Sequence, residues 1–190
     1  FAVSIKENWP LGHFYSMIHT GLVGDGLFDW LSNMDKGTGS FASPADMNYA
    51  FSIFDFYKSK GGANAMEMDY SNQTTNFASG NYAMMVQGLW AYGSSKKLNP
   101  ALDAGFFPFP FSNDPAMNKL YVDTDSTIAI SSRSTPEKIE AAKIFLDFLT
   151  SEEGVKLWID KCKLIPSVQG STVENMDPPF QDLVKYINEG

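Results

Sequence analysis

Asn76-Phe-Ala-Ser-Gly80-Asn-Tyr-Ala-Met-Met85-Val-Gln-Gly88-Leu-Trp90-Ala-Tyr92 is the stretch on which the reading of this chain turns. Ser79-Gly80-Asn81 is turn chemistry, because glycine takes the left-handed conformation that closes a helix. Ala83 to Val86 is a short apolar run between turn signals and reads as a buried strand. Gly88 lets the backbone turn sharply, and Trp90 and Tyr92 follow at the strand's exit. In open α/β folds, ligands lie at the carboxyl ends of strands. An indole there offers a flat apolar face with a polar edge, which suits a sugar ring.

Upstream, Phe1 to Ile5 alternates weakly and begins like a strand. Pro10 excludes a helix from running through Trp9, which places Trp9 in extended or turn backbone. Leu11 to Leu22 follows as a helix, and Leu27 to Leu31 as one or two helical turns. Ser43-Pro44 starts the next helix, with Ser43 as N-cap and Pro44 at the first position. It runs to Lys60, with Met47, Ala50, Phe51, Phe54 and Tyr57 or Lys58 as its apolar stripe. Asp69 opens a helix through Phe77, and Trp90 to Lys97 starts a short one.

Downstream, Phe106 to Pro110 reads as a strand and Tyr121 to Ile130 as a long one, supported by Val122, Thr124, Thr127 and Ile128. Ser134 or Thr135 caps the next helix, whose expected buried face is Ile139, Ala142, Ile144, Phe145 and Phe148. Ser151 restarts a helix to Cys162, where Val155, Trp158, Ile159 and Cys162 share a stripe. Asp177-Pro-Pro179 opens a last helix carrying Phe180, Leu183, Val184 and Ile187. The sum is a helix-rich α/β chain with few strands.

Composition bounds the function. The 190 residues suffice for one well-buried domain over 1–190. A hydrophobic content of 44% without an apolar run near 18 residues points to a soluble, globular chain. The net charge of −8 opposes nucleic acid and anionic membrane surfaces as partners. One cysteine allows no disulfide and no cysteine metal cage.

The run from Phe77 through Gly88-Leu-Trp90 resembles the solute-binding proteins of bacterial ABC importers, in particular the extracellular family that captures sugars and oligosaccharides. Three further segments agree in order. They are Ala104-Gly-Phe-Phe-Pro-Phe-Pro110, Ser126-Thr-Ile-Ala-Ile-Ser-Ser-Arg-Ser134, and Pro136 to Gly154 closed by Leu164-Ile-Pro166-Ser167. Residues 1 to 76 match only loosely. The resemblance implies a two-lobed periplasmic-binding-protein-like fold of type II, of which this chain is mainly the C-terminal lobe, with the crossover between lobes at 108–126. Family members begin with a secretion signal, whereas this chain begins at Phe1 without one, so a fragment is expected. The resemblance further implies a monomer outside the cytoplasm, in the periplasm or lipid-anchored, with a carbohydrate ligand and a membrane permease as partners.

Six residues stand out as ligand contacts. The resemblance places a sugar-stacking tryptophan at Trp90, with Tyr92 beside it. Core packing explains Trp90 and Tyr92 as well. Trp9, next to Pro10 and Gly12, has irregular backbone that can present its ring to a cleft, and His13 lies close by; a packed surface-loop anchor accounts for Trp9 and an ordinary helix face for His13 as well. Asp123 and Asp125 alternate onto one face of the expected strand. A solvent edge, sugar hydroxyls or a metal, as in the Asp-x-Asp of glycosyltransferases, would each account for them; sugar contact is the favoured reading. No catalytic residue and no cofactor is expected. His13 and His19 lack zinc spacing, and no Gly-x-Ser-x-Gly or phosphate loop occurs. A carbohydrate-active enzyme using the Asp pair and a scaffold domain without a ligand are the rival readings.

Overall fold

The structure, a computed structural model, describes residues 1–41, 44–118, 120–123, 126–171 and 176–189. The chain divides into two compact units: Phe1–Asp103 with Phe107–Tyr121, and Ala104–Phe106 with Val122–Gly190.

The first unit is built on five α-helices among the described residues, around a short buried N-terminal segment. Helix α1 spans Asn8–Val23 and α2 Leu27–Asp35; α3 spans Pro44–Ser59. Trp9 and Pro10 therefore lie inside the first turn of α1, not in extended backbone as the proline suggested. The first N–H groups of a helix have no acceptor within it, so the missing proline donor costs nothing there. Phe14 and Ile18 of α1 are buried against Ala50 and Tyr57 of α3. The Phe14 and Tyr57 rings stack at 4.6 Å and 19°. Gly21 of α1 lies so close to Phe111 that a Cβ would enter that ring, and Tyr49 of α3 donates to the Phe111 carbonyl. The buried face of α3 is Ala50 and Tyr57 flanked by Ile53 and Phe54. Phe51 and Lys58, expected on that stripe, are exposed, because they fall on the helix side turned from α1. The side chain of Met47 and the expected cap Ser43 lie outside the described residues.

Helices α4, Tyr70–Ala78, and α5, Trp90–Leu98, complete this unit. Asp69 caps α4 by accepting the Asn72 N–H at 2.8 Å. The chain leaves α4 through Gly80 at φ +75°. The segment after it is tied to the N-terminus by one parallel bridge between Ala2 and Met85, with the Ala2 N–H donating to the Met84 carbonyl at 2.8 Å. That bridge is the only strand pairing among the described residues.

Gln73 of α4, fully buried, ties these parts together. Its amide nitrogen donates to the Ala2 carbonyl at 2.7 Å and lies 3.4 Å from the Tyr57 hydroxyl. Its amide oxygen accepts from Gln87 Nε2 at 2.8 Å. The Tyr57 hydroxyl also reaches the Ala2 carbonyl at 3.3 Å. Burial pushes the Tyr57 hydroxyl far above the usual phenol range, against hydrogen bonds from Val86, Gln73 and Ser4 that act the other way.

The second unit carries α6, Pro136–Thr150, α7, Glu152–Leu157, and α8, Pro178–Glu189. Ser151 caps α7, accepting the Gly154 N–H at 3.2 Å. A π-helical turn, Trp158–Cys162, extends α7 and stops at Lys163, the one described non-glycine residue with positive φ, at +55°. Lys163 then pairs with Asp177 at 3.1 Å. Phe180 and Leu183 of α8 and Met176 are buried, and Phe106 meets Phe180 edge-on at 5.2 Å. The expected face of α6 is rotated. Ile139, Ala142, Leu146 and Leu149 are half-buried, while Ile144, Phe145 and Phe148 are exposed. On the α7 stripe Ile159 is buried, Val155 and Cys162 are half-buried, and Trp158 is exposed.

The other expected strands do not form. Residues 106–110 and the described parts of 121–130 have no strand pairing. β-branched residues favour a pleated surface only when a neighbouring strand packs beside it, and the described residues offer these segments none.

Two outcomes follow from the buried amide and phenol. Gln73→Leu strands two backbone-held acceptors and one amide donor, so urea unfolding should show a loss of about 1–3 kcal/mol or more; an unchanged midpoint would remove Gln73 from its central role. The Tyr57 hydroxyl is neutral in the fold, while in the unfolded chain it ionises at about 10. Its contribution is therefore present below that pH and lost as pH rises above it. Tyr57→Phe should flatten the fall in stability between about pH 9.5 and 11, measured by urea titration at each pH.

Candidate functional site

Three helices of the first unit carry an aromatic residue in their first turn, and the ring of one meets the other two. Trp9 is the second residue of α1, Tyr70 the first of α4 and Trp90 the first of α5. The Cα–Cβ bond tilts toward a helix's N-terminus, so a side chain in the first turn leans past the helix end. His13, one turn into α1, joins the group. Trp9 lies 5.1 Å from Tyr70 at 62°, 6.3 Å from Trp90 at 52° and 5.8 Å from His13 at 82°. His13 lies 5.3 Å from Trp90 at 55°. None of these four contacts is parallel, so the rings present both faces and edges. Trp9 is 40% exposed and His13 is exposed, while Tyr70 and Trp90 are half-buried.

The supports of these rings are polar. The Tyr70 N–H donates to Glu7 Oε2 at 2.7 Å, which joins the start of α4 to the residue before α1. The Tyr70 hydroxyl lies 3.5 Å from Ser94 Oγ of α5. Gly88 is required by Trp90 itself, since a Cβ there would run into the six-membered ring of that indole. Trp90 is thus folded back onto the bare backbone two residues before it.

The structure brings together Trp9, His13 and Trp90 from the sequence-based set, and adds Tyr70. Tyr92 is buried in the interior of the first unit and its ring is not one of the four. Residues two apart on a helix point about 200° apart, so the helix that begins at Trp90 turns the Tyr92 ring away from it. Asp123 is exposed in the second unit. Asp125 lies outside the described residues. The signal for Tyr70 was present in the sequence: the Asp69 cap sets an aromatic at the first position of α4, as Leu89 precedes Trp90 in α5.

Among the described residues no cluster of three or more histidine, cysteine or acidic side chains is placed to hold a metal ion, and no helix is long and apolar enough to cross a membrane. The cluster carries two indoles with their N–H groups, one phenol ring and one imidazole. These groups can bind a flat molecule that is apolar on its faces and hydroxylated at its rim.

The chain belongs to the bacterial extracellular solute-binding proteins, whose family model matches residues 13–186. That description places the family outside the cytoplasm, with binding as its role. Among solved structures, a chitin oligosaccharide binding protein is similar with a TM-score of 0.76 at 22% identity. The match covers 99% of this chain and 47% of that one. The chain therefore has the fold of about half of that protein. No curated protein matches it in sequence.

If Gly88 exists to seat Trp90, then Gly88→Ala forces the indole out. The near-UV circular dichroism should lose tryptophan intensity, and stability should fall by about 1–3 kcal/mol, as overpacking does. Unchanged spectra would show that the ring tolerates a methyl group beneath it.

Proposed function

We propose that this chain binds a carbohydrate outside the cytoplasm, and that the protein it belongs to delivers that sugar to the permease of an ABC importer. The observation that carries the reading is the meeting of the Trp9, His13, Tyr70 and Trp90 rings at three helix starts. Pyranose rings are apolar on their faces and hydroxylated at their edges, the complement of tilted aromatic faces bordered by N–H donors. Membership of a solute-binding family supports capture without turnover. The fold shared with a chitin oligosaccharide binding protein supports a sugar as the solute. Because this chain spans about half of that protein, a second lobe closing over the rings would supply further contacts. The protein acts as a monomer and uses no cofactor in this reading.

The test is calorimetric titration of the intact protein with mono- and oligosaccharides, chitin oligosaccharides among them. Trp90→Ala and Trp9→Ala should each weaken the sugar that binds by about 1–3 kcal/mol, the loss of one large apolar contact. Absence of binding across the set would overturn the carbohydrate reading. Binding that both substitutions leave intact would move the site elsewhere on the protein.

A further inference from the structure

We propose that Gln87 is a positioning residue for Trp90: the amide pair Gln73–Gln87 sets the height of the indole in the ligand surface. The proposal deepens the carbohydrate reading and rests on it only for the binding arm of its test.

The orientation of the Gln73 amide is fixed by its surroundings. Its nitrogen faces the Ala2 carbonyl at 2.7 Å and the Val86 carbonyl at 3.5 Å. Turned over, the amide would set its oxygen against carbonyl oxygens, acceptor against acceptor. Gln73 Oε1 must therefore face Gln87, and only a donor satisfies it there. Gln87 Nε2 supplies that donor at 2.8 Å.

The consequence travels three residues along the chain. Up to Val86 the segment is anchored by its backbone, through the bridge to Ala2 and the contact with Gln73. From Gly88 it is anchored again, since the Gly88 carbonyl accepts the Ala91 N–H at 3.1 Å in the first turn of α5. Between these two anchors the side chain of Gln87 is the tether. The next residue is Gly88, whose bare Cα carries the Trp90 ring. A shift of Gln87 moves that seat, and the indole moves with it. Gln73 also lies one turn after Tyr70 on α4, so the same buried amide indexes two of the four rings to each other.

The experiment uses protein labelled with 5-fluorotryptophan, which gives four fluorine signals, for Trp9, Trp30, Trp90 and Trp158, assigned by single Trp→Phe substitutions. Gln87→Met keeps length but has no donor. Gln87→Glu has a donor only when protonated. A glutamate carboxyl titrates at about 4.3, so the variant can donate to Gln73 at about pH 4 and faces it as a bare carboxylate at about pH 7.5. The expected result is a displaced Trp90 signal in Gln87→Met at both pH values. In Gln87→Glu the signal is displaced at the higher pH only. Trp158, in the other unit, stays in place throughout. Wild-type protein at both pH values is the reference. An unmoved Trp90 signal in Gln87→Met overturns the proposal, as does a displacement in Gln87→Glu that ignores pH. Collapse of all four signals in both variants also overturns it, in favour of a purely structural role. In the binding arm, a chitin oligosaccharide titrated into Gln87→Met should show a Kd raised roughly three- to tenfold, one hydrogen bond's worth of misplacement. If wild-type protein ignores that sugar, the carbohydrate reading loses that ligand, and the fluorine signals still decide the positioning role.

Discussion

A single buried primary amide holds the first unit together. Gln73 is fully buried, so its amide must find its partners inside the protein, and they come from three different parts of the chain. Ala2 belongs to the N-terminal segment, Tyr57 to α3, and Val86 and Gln87 to the segment that leads into α5. A leucine of similar size would fill the space but would fix nothing. Apolar contacts are indifferent to small shifts and rotations, whereas an amide with assigned donors and acceptor tolerates one arrangement. The arrangement it tolerates is also the one that brings the starts of α4 and α5 together.

Helices were largely legible in the sequence because their signals are local. The Asp69 cap, Pro136 with Glu137, the Ser151 cap and the Asp177-Pro-Pro179 start each act within one turn, and each helix begins where those residues stand. Strands were not legible, because a strand is a property of two segments. Tyr121 to Ile130 has the composition of one, and Phe106 to Pro110 its brevity, yet only Ala2 and Met85 find each other among the described residues. Helix faces failed for a related reason. Hydrophobic spacing shows that α6 has an apolar side, but Ile144 and Phe145 satisfy the same periodicity as Leu146 and Leu149 within a rotation of the helix. Which side is buried depends on neighbours that spacing cannot name.

Trp9 was placed in irregular backbone from the sequence, and the structure replaces that picture: it stands in the first turn of α1. Trp90 was read as the start of a short helix, and α5 begins there. The same helix parts Tyr92 from Trp90, since residues two apart on a helix point to different sides, and Tyr92 lies in the interior. Tyr70 was missed because its helix was read for its cap and not for the residue behind the cap.

First turns are suited to carrying a binding surface. A residue in mid-helix is surrounded by its own neighbours at three and four positions on either side, and its ring is drawn into the packing between helices. In the first turn half of those neighbours are absent, and the side chain leans beyond the helix end. Here Trp9 meets Tyr70 edge to face and Trp90 at a tilt, arrangements that aromatic pairs prefer to face-to-face stacking. The cost is that no helix axis fixes their exact height, since each ring is held from one side only. That role falls to polar contacts behind the rings: the Glu7 carboxylate on the Tyr70 N–H, the Tyr70 hydroxyl near Ser94, and bare backbone at Gly88 beneath Trp90. The ring cluster is apolar, but polar contacts and one missing methyl group hold it from behind.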